Sequence, residues 1–299
     1  MRAAAIGIGS NSTRMLAAEI GEGTIAPLLR LREDTRLFSS LENGVLSAER
    51  MMATAAAAGM FCQQAREAGC EAIRLFATSA ARDAKNGAEF AEIAEALCGV
   101  PLEVLPGEEE ARLSFLGAAG GETDAGVFDI GGGSTELAMM DGGSLRTISL
   151  QLGSSRLLQE FPKLTGDFPR IARERAEEEI RAGLLRLGVR ETPRRWVSVG
   201  GNGFRLAAAD RLARGLDAEG AEGWFMTREA AHAWADRLSA MSVSERARVP
   251  GIPASRADVA AHGAILLEAA LRALGADGAT ATRRTNLDGA LLEMAKKKK

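Results

Sequence analysis

The chain is poor in the residues that build nucleophile–histidine, zinc or disulfide chemistry. It has only two histidines, His232 and His262, each inside a helical pattern. They are expected to pack or face solvent, because no Ser-His-Asp or histidine–metal set can be assembled around them. The three cysteines, Cys62, Cys70 and Cys98, are odd in number and lack C-x-x-C spacing. Buried free thiols are expected rather than a disulfide framework or a zinc site. No apolar run reaches the roughly 18 residues of a membrane helix. The opening Met1-Arg2-Ala3-Ala4-Ala5-Ile6-Gly7 enters a strand pattern directly, with no apolar leader and cleavage site, so a cytoplasmic protein is expected. A basic surplus is also missing: 37 Lys and Arg face 40 Asp and Glu, for a net charge of -3, and four of the bases form the terminal Lys296–Lys299. A body this acidic excludes a broad nucleic-acid surface, which needs many cations acting together on phosphates. The lysine tail itself reads as a solvated end.

What is present is one turn used twice. Ile8-Gly9-Ser10-Asn11-Ser12-Thr13 closes the first strand pattern, and Ile130-Gly131-Gly132-Gly133-Ser134-Thr135 closes another 122 residues later. Both join a buried strand to small and hydroxyl residues, a composition that lets backbone N–H groups gather around an anion. With 299 residues, of which 46% are hydrophobic and 26% charged, the chain has the makeup of a soluble globular protein of two domains. The pattern predicts strands at 2–8, 14–20 and 24–37, a helix from Ser47 to Ala68, a strand Ile73–Ala77, a helix Ala88–Cys98 capped by Asn86, a strand Leu102–Leu105 and a helix Gly107–Ala118. It then restarts with strands Val127–Ile130, Glu136–Met140 and Leu145–Leu150. Later helices are expected at 154–161, 169–187, 203–214, 227–241 and 256–274, with strands Trp196–Val199 and Ala279–Thr282. The Gly-rich stretch 117–126 is the expected boundary, giving domains 1–121 and 122–295 followed by the tail 296–299, with the last helix expected to pack back on the first domain. Ligands in such folds sit at strand ends, here in a cleft between the halves.

The residues able to do chemistry collect near those strand ends. In Asp129–Glu136, three glycines admit a phosphate closely, Ser134 and Thr135 add hydroxyls, and the two flanking acids suit a divalent cation with oxygen ligands, Mg2+ or Mn2+. The repeat is asymmetric, since the counterpart of Asp129 in the first half is Gly7. Gly107-Glu108-Glu109-Glu110-Ala111-Arg112 opens a helix. One of its carboxylates is a candidate general base, while acids in a first helical turn are also favoured by the dipole alone; spacing does not select among them. Arg82 ends the Thr78–Arg82 segment as a forked phosphate donor or a surface ion-pair residue. Gly200-Gly201-Asn202-Gly203 supplies a further helix start suited to anions.

Seven motifs in chain order resemble the exopolyphosphatase/guanosine pentaphosphate phosphohydrolase (Ppx/GppA) family. They are Ile8–Arg14, Ala77–Ala84, Gly107–Leu113, Asp129–Leu137, Leu152–Leu157, Val199–Gly201 and Arg256–Val259. The resemblance implies an α/β fold of two ribonuclease H-like domains of the actin/sugar-kinase/heat-shock ATPase superfamily around a central cleft, and removal of terminal phosphate from polyphosphate or pppGpp. It implies Glu109 as the catalytic base, Asp129 and Glu136 as metal ligands, and Gly9, Ser10, Asn11, Ser12, Arg82, Gly131, Gly132, Gly133 and Ser134 as phosphate contacts. It further implies a short, two-domain type without the extra C-terminal domains of longer members, which favours short polyphosphate or guanosine penta- or tetraphosphate as partner; a homodimer is left open. The chain departs from the family at Gly7, where Asp is usual, at Asn202, where Thr is usual, and at Leu287-Asp288-Gly289, which replaces L-R-E-G and loses a cation. Asn286 falls where Gly is common, and Asn tolerates a left-handed backbone. Two alternatives follow: a polyphosphate or alarmone sensor that lost turnover with Gly7, and a kinase of the same fold, for which Gly200–Gly203 would have to help form an adenine pocket.

Overall fold

The computed structural model describes residues 1–296 apart from 22, 121, 123, 190 and 191. Of the terminal lysines only Lys296 is therefore described, and residue 121, where the expected boundary falls, is not. The chain forms two compact units, one comprising Met1–Gly117 together with the segment from Asn286, the other Ala118–Thr285.

In the first unit β1 (Arg2–Ile8), β2 (Thr13–Gly21) and β3 (Thr24–Glu33) form an antiparallel meander. After α1 (Ala48–Glu67), β4 (Ala72–Ala77) pairs parallel with β1. The short α2 (Ser79–Arg82) and α3 (Gly87–Cys98) then lead to β5 (Leu102–Val104), parallel to β4, and to α4 (Gly107–Ala119). The sheet order is β3-β2-β1-β4-β5. Strand β1 lies at its centre, and its period of two divides its side chains between layers. Ala4, Ile6 and Ile8 join the cluster under α1 and α3, while Ala3 and Ala5 meet Leu113 of α4 and Leu287, Ala290 and Leu291 of the C-terminal helix. The alanines keep both layers close to the sheet.

The second unit repeats this plan. Strands β6 (Ala125–Ile130), β7 (Thr135–Asp141) and β8 (Ser144–Leu150) form the meander, followed by α5 (Ser154–Glu160) and α6 (Phe168–Leu187). Next come β9 (Arg195–Val199), α7 (Gly200–Ala213), β10 (Phe225–Thr227), α8 (Arg228–Ser239), α9 (Val243–Arg246), α10 (Ala257–Ala273) and β11 (Gly278–Ala281). The order β8-β7-β6-β9-β11 reproduces that of the first sheet, with β10 added antiparallel at the edge. Both sheets thus have the expected ribonuclease H-like order. Gly126 is a strand glycine with a packing reason: a Cβ there would lie 2.5 Å from the ring of Trp196, its partner in register on β9. The last helix, α11 (Asn286–Lys296), belongs to the first unit.

Several local expectations are corrected. Asn86 makes no side-chain cap to α3; its amide instead accepts from Leu46 N at 2.9 Å and donates to Leu46 O at 3.0 Å, pinning the loop before α1. β3 ends at Glu33 rather than residue 37, because Leu37–Ser40 coils into a 3-10 turn behind Arg36 at φ 51°. α7 starts at Gly200 rather than residue 203. Asn286 needs no left-handed backbone, being absent from the residues with positive φ.

His262 packs, while His232 is exposed. His232 Nδ1 lies 2.7 Å from the buried Glu268 carboxylate. His262 on α10 donates from Nε2 to the Phe161 carbonyl at 2.8 Å, holding the C-terminal end of α5. Desolvation lowers its pKa from 6.5, with the Phe161 bond opposing and nearby Arg246 assisting. A group whose folded pKa is depressed contributes stability fully above its unfolded value and loses it as pH falls toward the folded one. The unfolding midpoint is therefore expected to drop as pH falls below 6.5, with a shallower slope in His262→Gln. Thermal melts of both proteins across this range provide the check.

Candidate active site

The doubled turn is the same structure twice. Loop Gly9–Ser12 bridges the register pair Ile8↔Thr13, and loop Gly131–Ser134 bridges Ile130↔Thr135. Each is closed by one hydrogen bond across four residues, Gly9 N–H to Ser12 O at 3.0 Å and Gly131 N–H to Ser134 O at 2.9 Å. A Cβ on Gly131 would stand 3.0 Å from that acceptor, which is why the residue opening the turn is glycine.

Carbonyl capture then sets the direction of the loop. The N–H groups of Ser154 and Ser155 donate to Gly131 O and Gly132 O at 3.0 and 2.8 Å, and Arg156 N–H adds a 3.1 Å bond to Gly132 O. Arg156 Nε reaches Gly133 O at 2.8 Å, and Asn202 Nδ2 reaches Ile130 O at 2.8 Å. In a trans peptide the C=O of one residue and the N–H of the next point in opposite directions, and no peptide here is cis. The N–H groups of Gly132, Gly133 and Ser134 are consequently turned away from α5, forming a concavity for an anion. In the first loop Phe38 N–H holds Ser10 O at 2.9 Å and Arg36 N–H holds Asn11 O at 3.2 Å, which turns the Asn11 and Ser12 N–H groups the same way. Gly153 makes the second arrangement possible, since a Cβ there would come within 2.3 Å of Gly132 O.

Sequence reasoning did not give Gly153, Ser154, Ser155, Arg156 and Asn202 this role, although the Leu152–Leu157 motif was the signal for four of them. It also counted Thr135 as a phosphate donor; its hydroxyl is instead spent on Leu152 O at 2.5 Å.

The two candidate metal ligands are brought together. Asp129 and Glu136 are directly opposed on β6 and β7, and both are buried. Ser149 on β8 donates to Glu136 Oε1 at 2.8 Å. A Cβ on Gly200, at φ +88°, would stand 2.4 Å from Asp129 Oδ1, so glycine there makes room for the carboxylate. Like charges directly opposed across a pair of strands repel, and a cation between them relieves this. Among the described residues no group of three or more His, Cys, Asp or Glu could hold a metal ion. The pair thus fits a Mg2+-like ion that keeps waters or phosphate oxygens in its remaining positions, and does not fit an all-protein cage.

In the first unit the corresponding register pair is Gly7↔Arg14. The space an Asp129-like side chain would take is already filled: a Cβ on Gly7 would lie 3.1 Å from both Leu287 Cδ2 and Phe76 Cε2.

The acidic start of α4 separates into two environments. Glu109 is gripped by Arg112 through two 2.7 Å bonds. Arg112 and Arg74 both also bind Glu293 of α11, at 2.5 and 2.7 Å. The Glu109 contact, with that to Glu293, pushes the Arg112 pKa further up, so this guanidinium stays charged. Glu110, one residue on, is buried and lies 3.2 Å from Arg82 Nη1, which also donates to Leu105 O at 2.8 Å. The other terminal nitrogen of Arg82, Nη2, is buried without a hydrogen-bond partner. Arg82 therefore meets Glu110, the neighbour of the Glu109 that the resemblance implies as base.

The profile of the Ppx/GppA phosphatase family matches residues 16–298. Exopolyphosphatase 2 of Mycobacterium tuberculosis is 33% identical, with 98% of each chain covered. A solved exopolyphosphatase-like protein superposes with a TM-score of 0.85 at 27% identity over the whole of both chains. The Ppx/GppA family member of Aquifex aeolicus gives 0.79 at 26%, covering 100% of this chain and 98% of that one.

The filled space beside Gly7 has a measurable consequence. Gly7→Asp inserts a carboxylate among Leu287 and Phe76 and is expected to destabilise the protein by about 2 kcal/mol or more. Denaturant unfolding measures this; an unchanged midpoint would show that the apolar plug yields freely.

Proposed function

Because the chain belongs to the Ppx/GppA phosphatase family, we propose that it is a phosphoanhydride hydrolase releasing the terminal phosphate of inorganic polyphosphate or of pppGpp. The observation that carries this reading is the pair of loops whose carbonyls are captured from behind and whose N–H groups face forward, an arrangement suited to phosphate oxygens without any cationic side chain. Arg82, with its buried and unpartnered Nη2, adds a forked charge for the transferred group.

We assign the general base to Glu110 in preference to Glu109. This is supported by the burial of Glu110 and its contact with Arg82, and by the engagement of Glu109 with Arg112. The water oxygen attacks the terminal phosphorus, its proton passes to the Glu110 carboxylate, and the bond from phosphorus to the bridging oxygen breaks. Forward-facing loop amides of this kind stabilise charge on phosphoryl oxygens as it develops. Asp129 and Glu136 would hold Mg2+ or Mn2+, which when bound neutralises phosphate charge. Cytoplasmic location belongs to the same reading; among the described residues no helix is long and apolar enough to cross a membrane.

A second reading, a polyphosphate or alarmone sensor, is favoured by one observation, the absence of any carboxylate at Gly7. Phosphate release from short polyphosphate and from pppGpp, with Mg2+ or Mn2+, separates the two. Turnover is expected, with Glu110→Gln lowering kcat by about 10²-fold or more and Glu109→Gln altering it only a few-fold. The opposite ranking, in a Glu109→Gln protein whose unfolding midpoint is unchanged, would return the base to Glu109. Tight binding with no release from the unaltered chain would establish the sensor.

A further inference from the structure

Two of the three cysteines meet in the seam between α1 and α3. Helix α1 lends this seam small residues, Ala55, Ala58, Cys62 and Ala65, and α3 lends Phe90, Ala94 and Cys98. Positions three and four apart share a helix face, so the small residues form one line along which the helices approach closely. A Cβ on Gly59 would lie 3.1 Å from the Leu97 carbonyl oxygen and 3.6 Å from Leu97 Cβ. At the other end of the seam Arg66 Nη2 donates to the Cys98 carbonyl at 2.6 Å.

Cys62 lies between these two fixed points, on the same face as Gly59 and Arg66, and Cys98 is the last residue of α3. Both are buried in the one cluster that fills this seam, and neither is in a disulfide. A disulfide requires Cβ atoms about 3.5–4.5 Å apart; one turn from Cys62, a Cβ built on Gly59 would stand 3.6 Å from that of Leu97, the neighbour of Cys98.

The two thiols are chemically unequal. The Cys98 thiol beside it, with the Arg66 charge, holds the Cys62 pKa below the usual thiol range in spite of burial. The Cys62 thiol, together with burial, pushes Cys98 far above it. Cys70 is raised by burial and so competes poorly as a thiolate.

We propose that Cys62 and Cys98 are a redox-modification site, at which a low-molecular-weight disulfide converts the two thiols into an intramolecular bridge tying α1 to α3. The Cys62 thiolate attacks one sulfur of the small disulfide, whose S–S bond breaks, and one small thiol leaves after taking a proton from water. Cys98 then gives its proton to solvent and attacks the Cys62 sulfur, expelling the second small thiol. Two protein thiols are oxidised and one small disulfide is reduced to two thiols. Both sulfurs are buried, so entry is through fraying of the α3 terminus, which ends in Gly99 at φ 66°. The bridge bears on the candidate site because α3 supports α2, the turn carrying Arg82: a Cβ on Gly87 would sit 2.3 Å from the Ala81 carbonyl.

The test is incubation of the folded full-length chain, and of Cys70→Ser, with glutathione disulfide, read by intact mass and peptide mapping. Expected are loss of the mass of two hydrogen atoms, a cross-linked peptide pair containing Cys62 and Cys98, full reversal by dithiothreitol, and a raised thermal midpoint. Cys98→Ser, lacking only the resolving thiol, is expected to stop at a glutathione adduct on Cys62. A wild-type chain that keeps both thiols while Cys70 is modified, or that accumulates glutathione on Cys62 without closing, overturns the proposal.

Discussion

The carbonyl groups of the Gly131–Ser134 loop govern the second unit's site. The first N–H groups of any helix lack partners within it, and those of α5 find theirs in Gly131 O and Gly132 O. One set of bonds therefore satisfies the helix start and orients the loop. Since peptide planarity ties each carbonyl to the next N–H, holding the carbonyls back is enough to present the amides forward. Gly153 follows as a necessity, because any side chain at the helix cap would separate the two partners. The first loop reaches the same end through other neighbours, with Arg36 in a left-handed conformation and Phe38 supplying the donors. The direction of the amides is thus common to the halves, while the means of securing it differs.

Against that common backbone, the side chains divide the labour. The second unit opposes two buried carboxylates, Asp129 and Glu136, and the first opposes Gly7 and Arg14 at the same register. Opposed carboxylates therefore stand at this register in the second unit, and a glycine and an arginine in the first. Gly7 is no vacant acid position, since Leu287 and Phe76 close over it as part of the apolar layer shared with Leu113 and Leu291. The segment that replaces L-R-E-G supplies Leu287, and Leu287 is one of the side chains that close over Gly7, so the two departures meet at one apolar contact. The two departures describe one repacking rather than two independent defects.

What the sequence made legible was local. The doubled loop, the order of strands and helices and the opposed pair Asp129/Glu136 all follow from periodicity and from glycine and hydroxyl spacing within a few residues. What it hid depends on partners far away in sequence. Glu109 and Glu110 are adjacent in the sequence, and a helix turns about 100° per residue, so one faces Arg112 and Glu293 while the other faces Arg82. No local pattern separates them. Asn86 carried a sound capping signature, yet Leu46, forty residues earlier, offered its amide two hydrogen bonds at once. Asn202 stood out only as a substituted residue, because its acceptor Ile130 O lies seventy-two positions back.

The ion pairs of α11 complicate any attempt to identify the base by removing Glu109. Arg112 joins Glu109 to Glu293, Arg74 joins Glu293 to Glu103, and Asp288 pairs with Arg30 of β3. A Cβ on Gly289 would come within 2.0 Å of the Leu113 carbonyl, so α11 lies against the body of α4. Neutralising Glu109 leaves Arg112 with a single partner and loosens the contact that positions both helices. Activity lost in such a variant would first have to be charged to a displaced α4, which carries Glu110 as well. Only a variant that keeps the α4–α11 contact and still loses turnover distinguishes the proton acceptor from the residue that holds its helix in place, and Glu110, which pairs with Arg82 of the neighbouring α2, is the position at which to draw that distinction.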